Sequence, residues 1–69
     1  PNPATAAVTV ASSYSITRIE AYDLGGGKML DMKAAGLSAK FSVDSWPSGT
    51  YVVVIHTPNG TATKKLVVK

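Results

Sequence analysis

The sequence predicts an all-β domain, an antiparallel immunoglobulin-like β-sandwich of six to seven strands. Three observations carry that expectation. Short runs of alternating apolar and polar residues recur at about ten-residue spacing, no stretch holds a helical period, and clusters of Gly, Pro, Asn and Ser separate the runs. With 69 residues, 45% hydrophobic and 16% charged, the chain has core material for one small domain and is too apolar for a disordered segment. It has no cysteine, so its stability rests on strand pairing and one core rather than on disulfides.

Pro1, Asn2 and Pro3 cannot enter a helix or a central strand, because proline lacks the donor and biases its predecessor toward extended backbone. Residues 1–6 therefore read as a linker and residues 7–69 as the sandwich. The run 7–11 alternates, with Val8 and Val10 on one face. In the run 16–22, Ile19 and Ala21 face inward, since Arg18 and Glu20 then both point to water, and Ile16 falls on the outer parity. Gly25, Gly26 and Gly27 suit a tight hairpin into a third strand over 28–33. After a loop pivoting on Gly36, a fourth strand at 39–43 places Phe41 and Val43 together. Asp44 to Gly49 is turn chemistry that carries Trp46 to cap one end of the core.

The run 50–57 is the strongest strand and the central one, with Tyr51, Val53 and Ile55 on one face and Val52, Val54 and His56 on the other. Thr57-Pro58-Asn59-Gly60 reverses the chain into the last strand, 61–68. Leu66 and Val68 anchor that strand to the core, Lys65 and Lys69 face water, and Lys64 snorkels from the edge of the inner face.

Several function classes lack their residues. One histidine, no cysteine and four acids make a catalytic constellation hard to assemble; His56 with Asp44 and Ser45 or Ser48 lacks a nucleophile-elbow motif, and no catalytic residue is assigned. His56 has no ligand partner at metal-site spacing, so neither a metal nor a cofactor is expected. The triple glycine matches neither phosphate-loop pattern and precedes a strand rather than a helix. A net charge of +3 spread along the chain, with the aromatics in core positions, does not make a nucleic-acid face. No apolar run reaches the roughly 20 residues of a membrane-spanning helix. The chain opens without an initiator methionine or an export leader, so it reads as part of a longer protein whose leader lies upstream.

Two surface features carry two readings each. Val52 and Val54, with Val67, keep the outer face of the closing strands apolar, through strand propensity alone or as a stripe contacting a second copy or a larger receptor. Lys64, Lys65 and Lys69 on a terminal strand are ordinary protection against aggregation, or a recognition feature.

Taken together, PNPAT at the start, ITRIEAYDLGGGKML in the middle and SWPSGTYVVVIHTPNGTATKKLVVK at the close resemble the type A C-terminal sorting domains of type IX secretion cargo in the Bacteroidetes. The resemblance spans essentially the whole chain, with Trp46 where that family commonly has leucine and Gly27 where a polar or basic residue is usual. It implies a sandwich that directs a folded cargo, such as a secreted protease or other virulence-type enzyme, from the periplasm through the outer-membrane translocon. It also implies removal by a sortase-like cysteine protease at a site upstream of Pro1, leaving the cargo at the cell surface or in the medium. The family signature falls on Pro1, Asn2, Pro3, Gly49 and Tyr51, and recognition by translocon and sortase falls on Lys64, Lys65, Val67, Val68 and Lys69. The competing expectation is an accessory immunoglobulin-like spacer or carbohydrate-binding module of a secreted enzyme or adhesin.

Overall fold

The computed structural model describes residues 7–69, in which six strands follow one another: β1 Ala7–Ala11, β2 Arg18–Asp23, β3 Lys28–Lys33, β4 Ser38–Ser42, β5 Gly49–Thr57 and β6 Gly60–Val68. The linker expected over residues 1–6, with Pro1, Asn2 and Pro3, lies outside the described residues. All ladders are antiparallel and form two sheets, β1-β4 and β3-β2-β5-β6. The arrangement is compatible with the immunoglobulin-like sandwich expected from the sequence.

Period-two alternation decides which residues fill the space between the sheets. Tyr51, Val53 and Ile55 of β5, Ile19 and Ala21 of β2, and Leu66 and Val68 of β6 are buried on one side, against Val8, Val10, Phe41 and Val43. The inward assignment of Ile19 and Ala21 holds: both are fully buried. Ile16 is buried as well, although strand parity would turn it outward. The reason is that β2 begins only at Arg18; Ile16 sits in the preceding connection, where its N–H donates to the Gly36 carbonyl (2.8 Å) and Ser12 N–H to Leu37 O (2.9 Å). Two loops are thereby stapled together, and Ile16 enters the core from outside the ladder.

The β2–β3 hairpin turns at Gly26 (φ +91°), a left-handed conformation that favours glycine. Asp23 closes it from both sides, since its N–H donates to Gly27 O and its Oδ1 accepts from Gly27 N–H (2.8 Å). A register shift between Ala21 and Tyr22 follows, so Tyr22 lies opposite Lys28. At the far end of the core Trp46 stacks on Phe41 (centroids 5.9 Å apart) and leans on Tyr51 (5.0 Å). The cap expected of Trp46 is therefore an aromatic cluster.

On the outer face, strand pairing brings distant charges into one network. Arg18 donates Nε and Nη2 to the two carboxylate oxygens of Asp31 (2.7 and 3.0 Å), and Lys28 Nζ lies 3.0 Å from both Asp31 Oδ2 and Glu20 Oε2. Tyr22 OH donates to Glu20 Oε2 (2.8 Å), and His56 Nε2 meets Glu20 Oε1 from across the β2–β5 ladder. Glu20 does not simply point to water, as its parity suggested; its side chain is only 15% exposed because neighbours on three strands close around it. Hydrogen bonds from Lys28, then Tyr22 and His56, lower the Glu20 carboxyl to about 2, and hydrogen bonds from Arg18 and then Lys28 lower Asp31 to about 2.

Two sets of measurements check this account. In urea titrations, Ile19→Ala and Ile55→Ala are each expected to cost about 3 kcal/mol, a large share of the roughly 4–10 kcal/mol available to a domain this size, while Thr63→Ala on the surface stays within about 0.5 kcal/mol. For pH, a carboxylate whose folded pKa is depressed stabilises the fold fully above its unfolded value and less as pH falls through the folded one. The contribution of Glu20 and Asp31 is thus complete above their ordinary values of 4.5 and 3.8 and declines as pH drops to about 2. Denaturation midpoints measured through that window should fall less steeply in Glu20→Gln than in the parent; an unchanged slope would remove Glu20 from the network.

Candidate functional site

Cleft chemistry does not assemble. His56 stands at the end of β5 against Glu20, while Asp44, Ser45 and Ser48 lie in the turn before β5 begins, roughly 20 Å away at about 3.3 Å per strand residue. Those groups are not brought together. Among the described residues no cluster of three His, Cys, Asp or Glu side chains is placed to hold a metal ion, and no helix is long and apolar enough to cross a membrane. Gly25, Gly26 and Gly27 turn a hairpin into β3.

What the fold presents instead is an edge. β5 turns into β6 through residues 57–60, where Thr57 Oγ1 accepts from Asn59 N–H (3.2 Å) and donates to Gly60 O (2.9 Å), and Gly60 takes φ +124°. The turn sets the register for the whole hairpin, from Thr57 opposite Gly60 to Gly49 opposite Val68. Among the described strands β6 ladders with β5 and stands at the end of the four-stranded sheet. From Gly60 to Lys65 every residue is exposed, and only then does the strand dive into the core.

The five residues expected to carry recognition thus divide. Lys64, Lys65 and Lys69 are exposed, Val67 is half-buried, and Val68 is buried opposite Gly49. Lys64 shares the parity of Leu66 and Val68 yet stays in water, with no ion pair to its ammonium among the described residues. Val52 and Val54 are half-buried in the outer face, opposite Tyr22 and Glu20 on one side and Lys65 and Thr63 on the other. The stripe is therefore narrower than exposed valines would make it, walled by the charged network and by β6.

Gly49 and Tyr51 have a plain structural part. Tyr51 is buried, its ring lies against Trp46, and its hydroxyl donates to the Pro47 carbonyl four residues back. This is the tyrosine-corner device by which sandwiches fasten a loop to the strand that follows it. The Pro47-to-Tyr51 bond fastens the turn before β5 to the end of the core.

Sequence reasoning missed the Glu20 network. Arg18, Glu20 and Tyr22 share one parity in β2, which was readable, but their partners Asp31, Lys28 and His56 come from a register that no local pattern specifies.

Charge is partitioned by the same register. Glu20 and Asp31 are held on the β2–β3 half of the outer face, and Asp23 is tied into its own hairpin, whereas β6 carries lysines and no acid. The result is a basic, largely exposed strand at the end of the larger sheet. Comparison with curated proteins and with solved structures gives no match. Comparison with family models matches residues 1–69 to the secretion system C-terminal sorting domain. The whole chain therefore belongs to the family of secretion system C-terminal sorting domains, the signals of type IX secretion.

Proposed function

We propose that this domain is the export address of a larger secreted protein, and that the type IX machinery reads it at strand β6, chiefly through Lys64, Lys65 and Lys69, with Val67 and the backbone of Val68 beside them. The observation that carries this is the exposure of β6 from Gly60 to Lys65 at the end of the sheet, in a strand whose Leu66 and Val68 are locked into the core. A signal read on folded cargo needs a rigid body and an accessible feature, and β6 offers both. Residues 7–69 act as the sandwich and residues 1–6 as the linker to the cargo, a secreted protease or other virulence-type enzyme. The cargo travels through the periplasm to the surface or the medium, and a sortase-like cysteine protease removes the domain after translocation. The domain itself performs no catalysis and needs no cofactor. Val52 and Val54 are a secondary contact stripe for the receptor or for a second copy.

Truncating β6 is a poor test, because Leu66 and Val68 are core residues and their loss would unfold the domain. Charge reversal of the exposed lysines is cleaner. The chain is fused to a periplasmically exported fluorescent reporter in a bacterium with type IX secretion, beside a K64E/K65E/K69E variant whose fold is checked by thermal melting. The parent fusion is expected at the surface or in the medium and the folded variant in the periplasm. Export of both would remove the lysines from recognition. Retention of both would favour an accessory spacer or carbohydrate-binding module.

A further inference from the structure

The turn at residues 57–60 holds a reactive pair that export does not use. Asn59 precedes Gly60, and Pro58, Asn59 and Gly60 are all exposed. The side-chain amide carbon of an asparagine lies one five-membered ring away from the peptide nitrogen of the next residue. A side chain on that next residue hinders closure of the ring, and glycine has none. The place where a Cβ of Gly60 would stand has no atom within 4 Å, so the ring is not crowded from outside either. Among the described residues no hydrogen bond holds the Asn59 side-chain amide; its backbone N–H is engaged, by Thr57 Oγ1 (3.2 Å). In the other glycine turn, by contrast, the Asp23 carboxylate is clasped by the Gly27 N–H (2.8 Å).

What restrains the pair is the turn itself. Gly60 stands opposite Thr57 as the last pair of the β5–β6 ladder. The Thr57 hydroxyl ties the turn together, accepting from Asn59 N–H and donating to Gly60 O (2.9 Å). To reach Asn59 Cγ, the Gly60 nitrogen must turn out of this clamp. The exposed end of a ladder opens at little cost in free energy, so the path does not require the core to unfold.

We propose that Asn59 is a self-modification site: the turn deamidates through a succinimide, with water as the one co-reactant, and the Thr57 hydroxyl is the brake. The Gly60 nitrogen gives its proton to solvent base and forms a bond to Asn59 Cγ. The Cγ–Nδ2 bond breaks, and ammonia leaves with a proton taken back from solvent. Water then opens the ring. Attack at Cγ restores the ordinary peptide and leaves aspartate; attack at the main-chain carbonyl leaves isoaspartate, with the chain now running through Cβ and Cγ. Nothing is oxidised or reduced. The isoaspartyl link adds a backbone atom to the turn that sets the register from Thr57–Gly60 to Gly49–Val68, and so loosens the hold on β6.

The full 69-residue chain is aged in mildly alkaline buffer, folded and in urea, and digested with trypsin; fragment-ion sequencing of residues 41–64 reads the exchange of the amide for a carboxylate. The other side-chain amide of the chain, Asn2, precedes Pro3, which has no N–H to attack with. Conversion at Asn59 is expected in the folded chain, slower than in urea, and lost in Asn59→Gln, whose longer side chain would need a six-membered ring. Thr57→Val removes the clamp and keeps the shape, and should speed conversion toward the urea rate. The isoaspartyl form, separated by chromatography, should melt about 5 °C below the parent, on the scale that a single local loss produces in a domain of this size. Asn59→Asp, which carries the charge without the added atom, should melt with the parent. An Asn59 that stays intact in the folded chain overturns the proposal, whether or not the urea sample converts, and so does equal conversion in Asn59→Gln. An unchanged rate in Thr57→Val removes the hydroxyl as the brake, and an isoaspartyl form that melts with the parent removes the effect on register.

Discussion

Everything in this structure depends on one buried layer: the inner faces of β2 and β5, which among the described residues the two-stranded β1-β4 sheet covers. A chain of 69 residues can bury only about 60% of the surface it exposes when unfolded, so it cannot afford a second core. The β1-β4 pair therefore sits over Ile19, Val53, Ile55 and Leu66, and Ile16 is drawn in from a loop to help fill the layer. Its strands run five residues each, against nine in β5 and in β6, and β6 is buried only at Leu66 and Val68.

The polar residues are distributed to suit that division. Acids and bases that neutralise one another are gathered on the β2–β3 half of the outer face, around Glu20 and Asp31, where they hold the register of three strands. Lysines without acidic neighbours of their own strand lie on β6. Lysine on an edge strand also opposes pairing with further copies, which matters for a strand with Leu66, Val67 and Val68 at its end. A membership spanning residues 1–69 fits a domain whose work is to be recognised rather than to react.

Much of this architecture was legible in the chain. The alternation over Ala7–Ala11 and the glycine hairpin before Lys28–Lys33 marked those strands at their observed bounds, and β5 stood out through its run of β-branched residues. Tyr51, Val53 and Ile55 could be assigned to the core because strand periodicity is local: a side chain two residues on returns to the same face whatever it packs against. The turn at Thr57-Pro58-Asn59-Gly60 was readable for the same reason, since its torsion angles are set within the four residues. Ile16 was not, because its burial comes from a hydrogen bond to Gly36, twenty residues further along, and not from any strand parity.

By itself, then, the sequence determined the strands, the turns, the inward faces and the resemblance that the match over residues 1–69 bears out, all of which depend on local pattern or on motif order. Tertiary structure decided what depends on register and coverage. Glu20 became enclosed because β2 pairs with β3 and β5 at the positions it does, and Pro47, Gly49 and Tyr51 proved to be a fastening because a hydroxyl reaches back to a carbonyl. Lys64 and Val68, two residues of the same parity on one strand, ended in water and in core, a difference that parity alone does not make. Parity is a property of the chain; coverage is a property of what lies opposite.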